Sequence, residues 1–159
     1  MGILQHIEHQ ISALNDLIKI NNDRVEGYQK AIELNKDTDL VKIFEDNIAQ
    51  SKANVNQLIE EIHVLGGSPS DGTTVGGKFY RTWMNVKAMV STPDRLSVLA
   101  DCERGEDVAT AAYRDALDDK ELIWKEPDLV KLLEKQNTAL KAAHDKIKVF
   151  RDEAKPVLK

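Results

Sequence analysis

The stretch LGGSPSDGTTVGGKFYRTWMNVKAMVSTP, residues 65–93, separates two segments that repeat apolar residues at helical spacing. It opens with Gly66 and Gly67, a pair that favours the end of a helix. The glycines, serines and threonines that follow predict a loop. Beyond the loop, one side of a short helix is marked by Phe79, Trp83, Val86 and Val90. Pro93 ends this helix, so residues 66–93 are expected to form a long crossover.

The segment before the crossover contains two helical patterns. Apolar residues recur three and four positions apart at Leu14, Leu17, Ile18, Val25, Tyr28 and Ile32. This spacing predicts a first helix over about 4–35, which the polar stretch NKDTDL interrupts. The spacing resumes at Phe44, Ile48, Val55, Leu58, Ile62 and Leu65. A second helix is therefore expected over about 39–65, and the short link makes the two helices antiparallel.

The segment after the crossover repeats this organisation. A third helix, over about 94–119, is predicted by Leu96, Leu99, Tyr113 and Leu117. A break follows at 125–127, where Pro127 favours a new helix start. A fourth helix, over about 127–151, is predicted by Leu129, Leu133, Leu140 and Ile147. The chain therefore reads as two helical hairpins.

Two hairpins joined by one long crossover is the connectivity of ferritin-like bundles, whereas simple up-and-down bundles have short loops. We therefore expect an all-α protein: an antiparallel four-helix bundle of ferritin-like connectivity, folded as a single domain over 1–159. An internal match supports a duplication, because YQKAIE from Tyr28 and YRDALD from Tyr113 share one pattern.

Composition narrows the classes of function. The chain has 159 residues, 42% of them hydrophobic, and a net charge of −5 spread along its length. Without a cationic face, nucleic acid is not an expected partner. No window approaches the roughly 20 apolar residues of a membrane span, and no secretory signal is evident. With a single cysteine, Cys102, which we expect to serve packing, a cytoplasmic location is the expectation.

The motif CERGED carries the clearest sign of a site. Glu103 and Glu106 lie three residues apart, and both fall on the apolar stripe that includes Leu99 and Leu117. Two carboxylates should therefore point toward the core. A buried carboxylate needs a metal ion, a cationic or hydrogen-bonding partner, or a raised pKa that keeps it protonated.

Polar residues on the other helices extend this pattern. Gln136 and His144 lie near the stripe of the fourth helix, and Asn21 lies on the inner face of the first. Two explanations stay open. The first is a hydrogen-bonded or water-filled layer that fixes the helix register, which the pattern favours. The second is a metal site formed by Glu103, Glu106 and His144.

A complete di-iron site is not predicted. Such a bundle uses a Glu from each of two helices and a Glu-x-x-His motif from each of the others. Lys141 stands where the fourth helix would need its carboxylate, and Glu60 with His63 has the spacing but faces away from the stripe. His6 and His9 lie on the first turns with nothing near them at ligand spacing, so we expect them to be solvated.

The chain resembles a known family in the order of its motifs, which are LNDLIKINND with GYQKAIE, IHVLGGSP, GKFYRTWMNVKA, CERGED with AYRDAL, and LKAAHDKI. Over about residues 14–151 it is similar to the bacterial ferritin-like four-helix-bundle proteins of unknown function. The resemblance implies the fold and an association with stress-related proteins, but no reaction. Glu103, Glu106 and His144 lie within the matching motifs.

Two hypotheses of function follow. The leading one is a non-catalytic or weakly metal-binding bundle that acts through association, as a homo-oligomer or with a protein partner, in bacterial stress physiology. The alternative is a redox protein in which Glu103, Glu106 and His144 hold iron or manganese. The alternative requires these three side chains to converge on one point.

Overall fold

The structure is a computed structural model that describes residues 2–83, 94–122, 124 and 126–155, except for the side chain of Thr82. These residues form no β-strand. They form five α-helices and one 3-10 turn: α1 (Ile3–Leu34), α2 (Thr38–Val64), the 3-10 turn (Val75–Gly77), α3 (Lys78–Trp83), α4 (Arg95–Asp118) and α5 (Pro127–Ala154). The predicted all-α class is confirmed, and the arrangement is compatible with a helical bundle. Val86, Val90 and Pro93 of the predicted crossover helix, and Lys125 of the later break, lie outside the described residues.

The end of α2 is formed by the glycine pair that the sequence singled out. Gly66 has φ of +82°, a left-handed conformation that glycine adopts at no steric cost. The Gly66 N–H donates to the His63 carbonyl at 3.0 Å, and the Gly67 N–H donates to the Ile62 carbonyl at 2.9 Å. These bonds satisfy carbonyls that the helix end would otherwise leave unpaired.

The long helices pack in pairs. Contacts are most extensive between α1 and α2 and between α4 and α5, and α1 also packs along α4. The short helix α3 packs against α1 and α4 and completes one side of the core. In the described part of the chain, no helix combines the length and the apolar character that crossing a lipid bilayer requires.

Trp83 is the centre of the contact between α3 and the long helices. Its side chain is fully buried, and its ring meets the edge of Tyr28 with centroids 4.8 Å apart. Phe79, also buried, lies 5.6 Å from it between ring centroids. Gly27 on α1 and Gly105 on α4 have no side chain and so leave room for the indole. Phe79 and Trp83, which mark one side of the predicted crossover helix, are therefore both buried in the core.

The loop between α2 and α3 is held against α1 by polar side chains. Asn15 donates to the Ser68 carbonyl at 3.1 Å and accepts from the Ser70 N–H at 2.7 Å. Two turns further along α1, the buried Asp23 carboxylate accepts from the backbone N–H of Thr74 at 3.3 Å and from its hydroxyl. These bonds fix the first part of the crossover along α1.

Candidate functional site

Glu106 lies at the centre of the described core and is paired with a cation. The Glu106 and Arg24 side chains are both completely buried. Arg24 Nε donates to Glu106 Oε1 at 2.5 Å, and Arg24 Nη2 donates to Glu106 Oε2 at 3.0 Å. A fork of two parallel bonds is the strongest geometry that a guanidinium and a carboxylate adopt. The Glu106 carboxylate, which was predicted to need a partner, is therefore paired with Arg24 on α1.

The rest of the Arg24 guanidinium is bonded to α2. Its Nη1 donates to the Asn47 carbonyl at 3.1 Å and to Ser51 Oγ at 2.7 Å. Burial by itself lowers the pKa of Arg24, but the charge of Glu106, aided by two buried tyrosines, raises it above its usual value. The guanidinium is therefore held in its charged form.

A chain of hydrogen bonds continues from this ion pair across the bundle. Ser51 donates to Asn21 Oδ1 at 2.9 Å, and Asn21 Nδ2 donates to the Tyr113 hydroxyl at 2.9 Å. Tyr113 donates to Gln136 Oε1 at 2.7 Å. We call this set the polar network; its members are Asn21, Arg24, Asn47, Ser51, Asn54, Glu106, Tyr113 and Gln136. It connects α1, α2, α4 and α5.

The polar network matches one of the two explanations that the sequence left open. Asn21, Glu106 and Gln136 were predicted to face inward, and all three are buried. Each contributes to a hydrogen bond with another helix. Because satisfied buried polar groups accept only a few geometries, such a network restricts how the helices slide along one another.

Glu103, one helical turn before Glu106, faces a different helix. Its carboxylate pairs with the guanidinium of Arg151 on α5, and its Oε1 lies 3.9 Å from His144 Nε2. The Glu103 side chain is 11% exposed and that of His144 is 18% exposed, so both lie at the edge of the core. Glu103 thus has partners on α5, whereas Glu106 has its partner on α1.

His144 is surrounded by carboxylates that the sequence did not single out. Its Nε2 lies 2.7 Å from Asp107 Oδ1, and its Nδ1 lies 3.0 Å from Asp145 Oδ1. Asp107 and Asp145 are exposed. The structure therefore brings Glu103 and His144 together near the surface, while Glu106 is engaged with Arg24. A metal site of Glu103, Glu106 and His144 stays a prediction.

Arg24 is the member of the buried ion pair that sequence reasoning missed. The predicted stripe used Val25, which is only half-buried, while Arg24 beside it is fully buried. Its spacing offered a signal, because Arg24 lies seven residues after Leu17 and four before Tyr28, on one face of α1. A cation on that face matches the inward carboxylate of Glu106.

Two nucleophile-type side chains near the ion pair are held in their protonated forms. Burial raises the pKa of Tyr28 well above its usual value, and the charge of Glu106 raises it further. Burial likewise raises the pKa of the Cys102 thiol, with a smaller contribution from Glu106. Cys102 is fully buried in the hydrophobic core, which fits the packing role expected of it. Neither group is poised for nucleophilic chemistry at neutral pH.

A further group of metal-ligand type lies near the start of α1, where His9, which was expected to be solvated, is 41% exposed and has two carboxylates near it. His9, Asp119 and Glu121 each offer one ligand atom, and these atoms lie within 4.8 Å of one another. In the described part of the chain it is the one set of three or more such residues that meets this distance. Sequence spacing missed it because His9 and Asp119 are distant along the chain.

Comparison with known proteins adds a family. No curated protein sequence matches the chain. The family model described as a domain of unknown function, DUF2383, matches residues 9–119. The match covers more than two thirds of the chain and includes both residues of the buried ion pair, Arg24 and Glu106. The chain therefore belongs to the DUF2383 family.

Proposed function

We propose that this chain is a single ferritin-like domain, an antiparallel four-helix bundle that acts in the bacterial cytoplasm through association with itself or with a protein partner. In this proposal the buried carboxylate of Glu106 serves structure and does not bind a catalytic metal. The observation that carries this structural role is the fully buried pair of Glu106 with Arg24.

The antiparallel arrangement is supported by contacts between helix ends. Near the start of α1, Gln10 donates to the Leu122 carbonyl just beyond α4 at 3.0 Å. At the opposite end, Arg95 at the start of α4 pairs with Asp39 at the start of α2 at 2.6 Å. These contacts support α1 running opposite to both α2 and α4, as the ferritin-like connectivity requires.

The ion pair argues against a metal at Glu106 on energetic grounds. Both carboxylate oxygens already accept from the guanidinium, which also donates to the Asn47 carbonyl and to Ser51 Oγ. A metal ion bound there would lie beside a buried arginine cation. Two buried like charges repel strongly because little solvent screens them. The pair therefore supports a structural role.

Association is supported by apolar side chains at one end of the helices. Ile3, Leu4 and Val64 are each more than 70% exposed. Beside them is a cavity of about 190 Å³, lined by Ile3, Ile7, Leu65, Trp124 and Leu129 among others. Exposed apolar groups that border an apolar pocket are typical of surfaces that bind other proteins.

The alternative function keeps one observation in its favour. His144 Nε2 lies 3.9 Å from Glu103 Oε1 and 2.7 Å from Asp107 Oδ1, so an imidazole and two carboxylates share one region. These ligand types suit iron or manganese. A redox protein with iron or manganese held by Glu103, Glu106 and His144 is the second candidate function.

Metal analysis separates the two candidates. The full chain, purified without chelator or metal-affinity resin, should contain no stoichiometric iron or manganese by mass spectrometry and should not acquire either when supplied. The comparison variant is Glu103→Ala with His144→Ala, because removing Glu106 would leave Arg24 buried without its partner. Stoichiometric iron or manganese that disappears in this variant would establish the redox function instead.

Sedimentation velocity tests association directly. We expect the wild-type chain to form a larger species as its concentration rises, and Ile3→Ser with Leu4→Ser to prevent this. Val149→Ser is the matched control, because Val149 is also exposed but lies next to Phe150, whose ring is 5.8 Å from Arg95 at the opposite end of the helices. Equal sedimentation of all three proteins would contradict a role for this apolar end.

The link to stress, which rests on the resemblance alone, is tested by survival of a deletion strain under peroxide.

A further inference from the structure

The group of His9, Asp119 and Glu121 lies apart from the residues discussed for iron or manganese. His9 is in the second turn of α1, Asp119 directly follows α4, and Glu121 lies in the turn beyond it. His9 Nε2 is 3.7 Å from Asp119 Oδ2. Two ligand atoms bound to one zinc ion at about 2.0–2.2 Å lie roughly 3.3–3.6 Å apart. The distance between His9 and Asp119 is therefore slightly longer than in a zinc site, and the ligand atom of Glu121 lies within 4.8 Å of both.

The backbone that carries these side chains is already fixed. Gln10, the residue next to His9, donates from its buried side chain to the Leu122 carbonyl at 3.0 Å. Leu122 is itself 2% exposed. The Glu121 N–H donates to Asp119 Oδ1 at 2.9 Å, which leaves Oδ2 facing His9. Because these hydrogen bonds restrain the backbone, it has less conformational freedom to lose when a ligand binds.

The charge of the group suits a divalent cation. The two carboxylates contribute two negative charges, and a neutral imidazole contributes a nitrogen ligand. Asp119 also borders a cleft of about 450 Å³ between α1 and α4, which Asp16, Lys19 and Asp115 line as well. Lys19 pairs with Asp16 at 4.0 Å, so Asp115 is the acidic side chain of the cleft that adds to the negative potential near Asp119. The cleft also leaves space for further ligands, such as water.

We propose that His9, Asp119 and Glu121 bind one Zn²⁺ ion, which links the start of α1 to the turn after α4. Imidazole nitrogen with carboxylate oxygen is a ligand set that zinc accepts, and three protein ligands leave a fourth position open to solvent. The site is reached from solvent, since the side chains of His9 and Asp119 are 41% and 39% exposed. This proposal does not depend on the association described above.

Isothermal titration calorimetry with zinc chloride tests the site in the full chain, after treatment with EDTA and exchange into chelator-free buffer. We expect one saturable equivalent of zinc. Loss of an outer-shell partner alone costs about 10- to 100-fold in metal affinity, so His9→Ala, which removes a ligand, should weaken binding at least tenfold. Asp119→Asn should also weaken binding, while its Oδ1 still accepts from the Glu121 N–H.

Two controls distinguish this site from other histidines. His63→Ala removes an exposed histidine at the end of α2 and should leave zinc binding unchanged. His144→Ala should also leave it unchanged, which separates this site from the one near Glu103. In NMR spectra of the imidazole groups, zinc should shift the His9 signals first among the four histidines. Absence of saturable binding, undiminished binding by His9→Ala, or binding lost in His144→Ala would each overturn the proposal.

Discussion

Arg24 on α1 and Glu106 on α4 form a doubly hydrogen-bonded ion pair from which solvent is excluded. The Nε–Oε1 distance is 2.5 Å, the Nη2–Oε2 distance is 3.0 Å, and both side chains are 0% exposed. Taking two charges out of water is costly, and their attraction repays the cost only when geometry and further hydrogen bonds are good. Here Asn47 and Ser51 supply those further bonds.

Removing one partner of this pair should destabilise the protein severely. Arg24→Met leaves the Glu106 carboxylate buried without a cation, and breaking a buried pair costs about 3–5 kcal/mol. Urea unfolding followed by circular dichroism measures this loss. The double variant Arg24→Met, Glu106→Leu should recover much of it, because no buried charge remains. A single variant that loses less than about 1 kcal/mol would contradict the role given to the pair.

The two buried tyrosines at equivalent positions of the internal repeat should respond differently to loss of their hydroxyls. Tyr113 accepts from Asn21 and donates to Gln136, so Tyr113→Phe should cost about 1–3 kcal/mol. The Tyr28 hydroxyl lies near the Glu106 carboxylate but makes no hydrogen bond of good geometry among the described residues, so Tyr28→Phe should cost less than about 1 kcal/mol. Thermal and urea unfolding of both variants provide the comparison. Equal losses would show that the hydrogen bonds of Tyr113 contribute nothing specific.

Gly105 should not tolerate even one added methyl group. A Cβ at this position would overlap the ring of Trp83, whereas a Cβ at Gly27 would lie 2.8 Å from the nearest ring atom. Gly105→Ala should therefore lower the free energy of unfolding by about 1–3 kcal/mol through overpacking. This loss should exceed that of Gly27→Ala and should outweigh the higher helix propensity of alanine, which is worth about 1 kcal/mol.

The background variant Trp83→Leu provides the control for Gly105. With a smaller side chain at position 83, the added methyl group no longer meets an indole ring. Gly105→Ala should then be neutral or stabilising. Differential scanning calorimetry of wild type, Gly105→Ala, Trp83→Leu and the double variant measures the coupling between the two positions. If Gly105→Ala has the same effect in both backgrounds, the contact with Trp83 does not explain the glycine.

Asp23 should make stability depend on pH in the direction opposite to most carboxylates. Burial raises the pKa of Asp23, and the hydrogen bonds from Thr74 oppose this only in part. An acid whose pKa is raised in the folded state stabilises the fold fully below its unfolded value of 3.8, and this contribution is lost as pH rises through the folded pKa.

The comparison that isolates Asp23 uses Asp23→Asn, which carries no titrating group and keeps an oxygen that can accept from Thr74. Urea unfolding of both proteins at several pH values between 7 and 4 measures the difference in free energy. We expect wild type to gain stability relative to the variant as the pH falls. A constant difference, or one that changes in the opposite direction, would contradict the raised pKa.

The helices and their inward faces could be predicted from the sequence, because both depend on local periodicity. The apolar spacing predicted the all-α class, and helical geometry turned Asn21, Glu106 and Gln136 toward the interior, where all three are buried. Gly66 predicted the end of α2, because the left-handed backbone conformation found there favours glycine. Arg24 was within reach too, but a long cation beside an apolar stripe is usually assigned to the solvated face.

The sequence did not predict which side chains pair with one another across the bundle. Glu103 and Glu106 share a face of α4, yet one carboxylate pairs with Arg151 on α5 and the other with Arg24 on α1. Which partner each meets depends on the rotation and sliding of neighbouring helices, and packing sets these. The meeting of His9 with Asp119 likewise depends on how two helix ends dock.

The sequence by itself determined that this chain forms long helices and which of their residues turn inward, since backbone geometry converts spacing directly into a face. Only the tertiary structure decided that Glu106 is neutralised by Arg24, that Trp83 packs near two glycines, and which side chains gather at the ends of the helices. The reason is physical. Electrostatic and packing contacts act over a few ångströms in space, and positions distant along the chain come within that range only after the helices have packed.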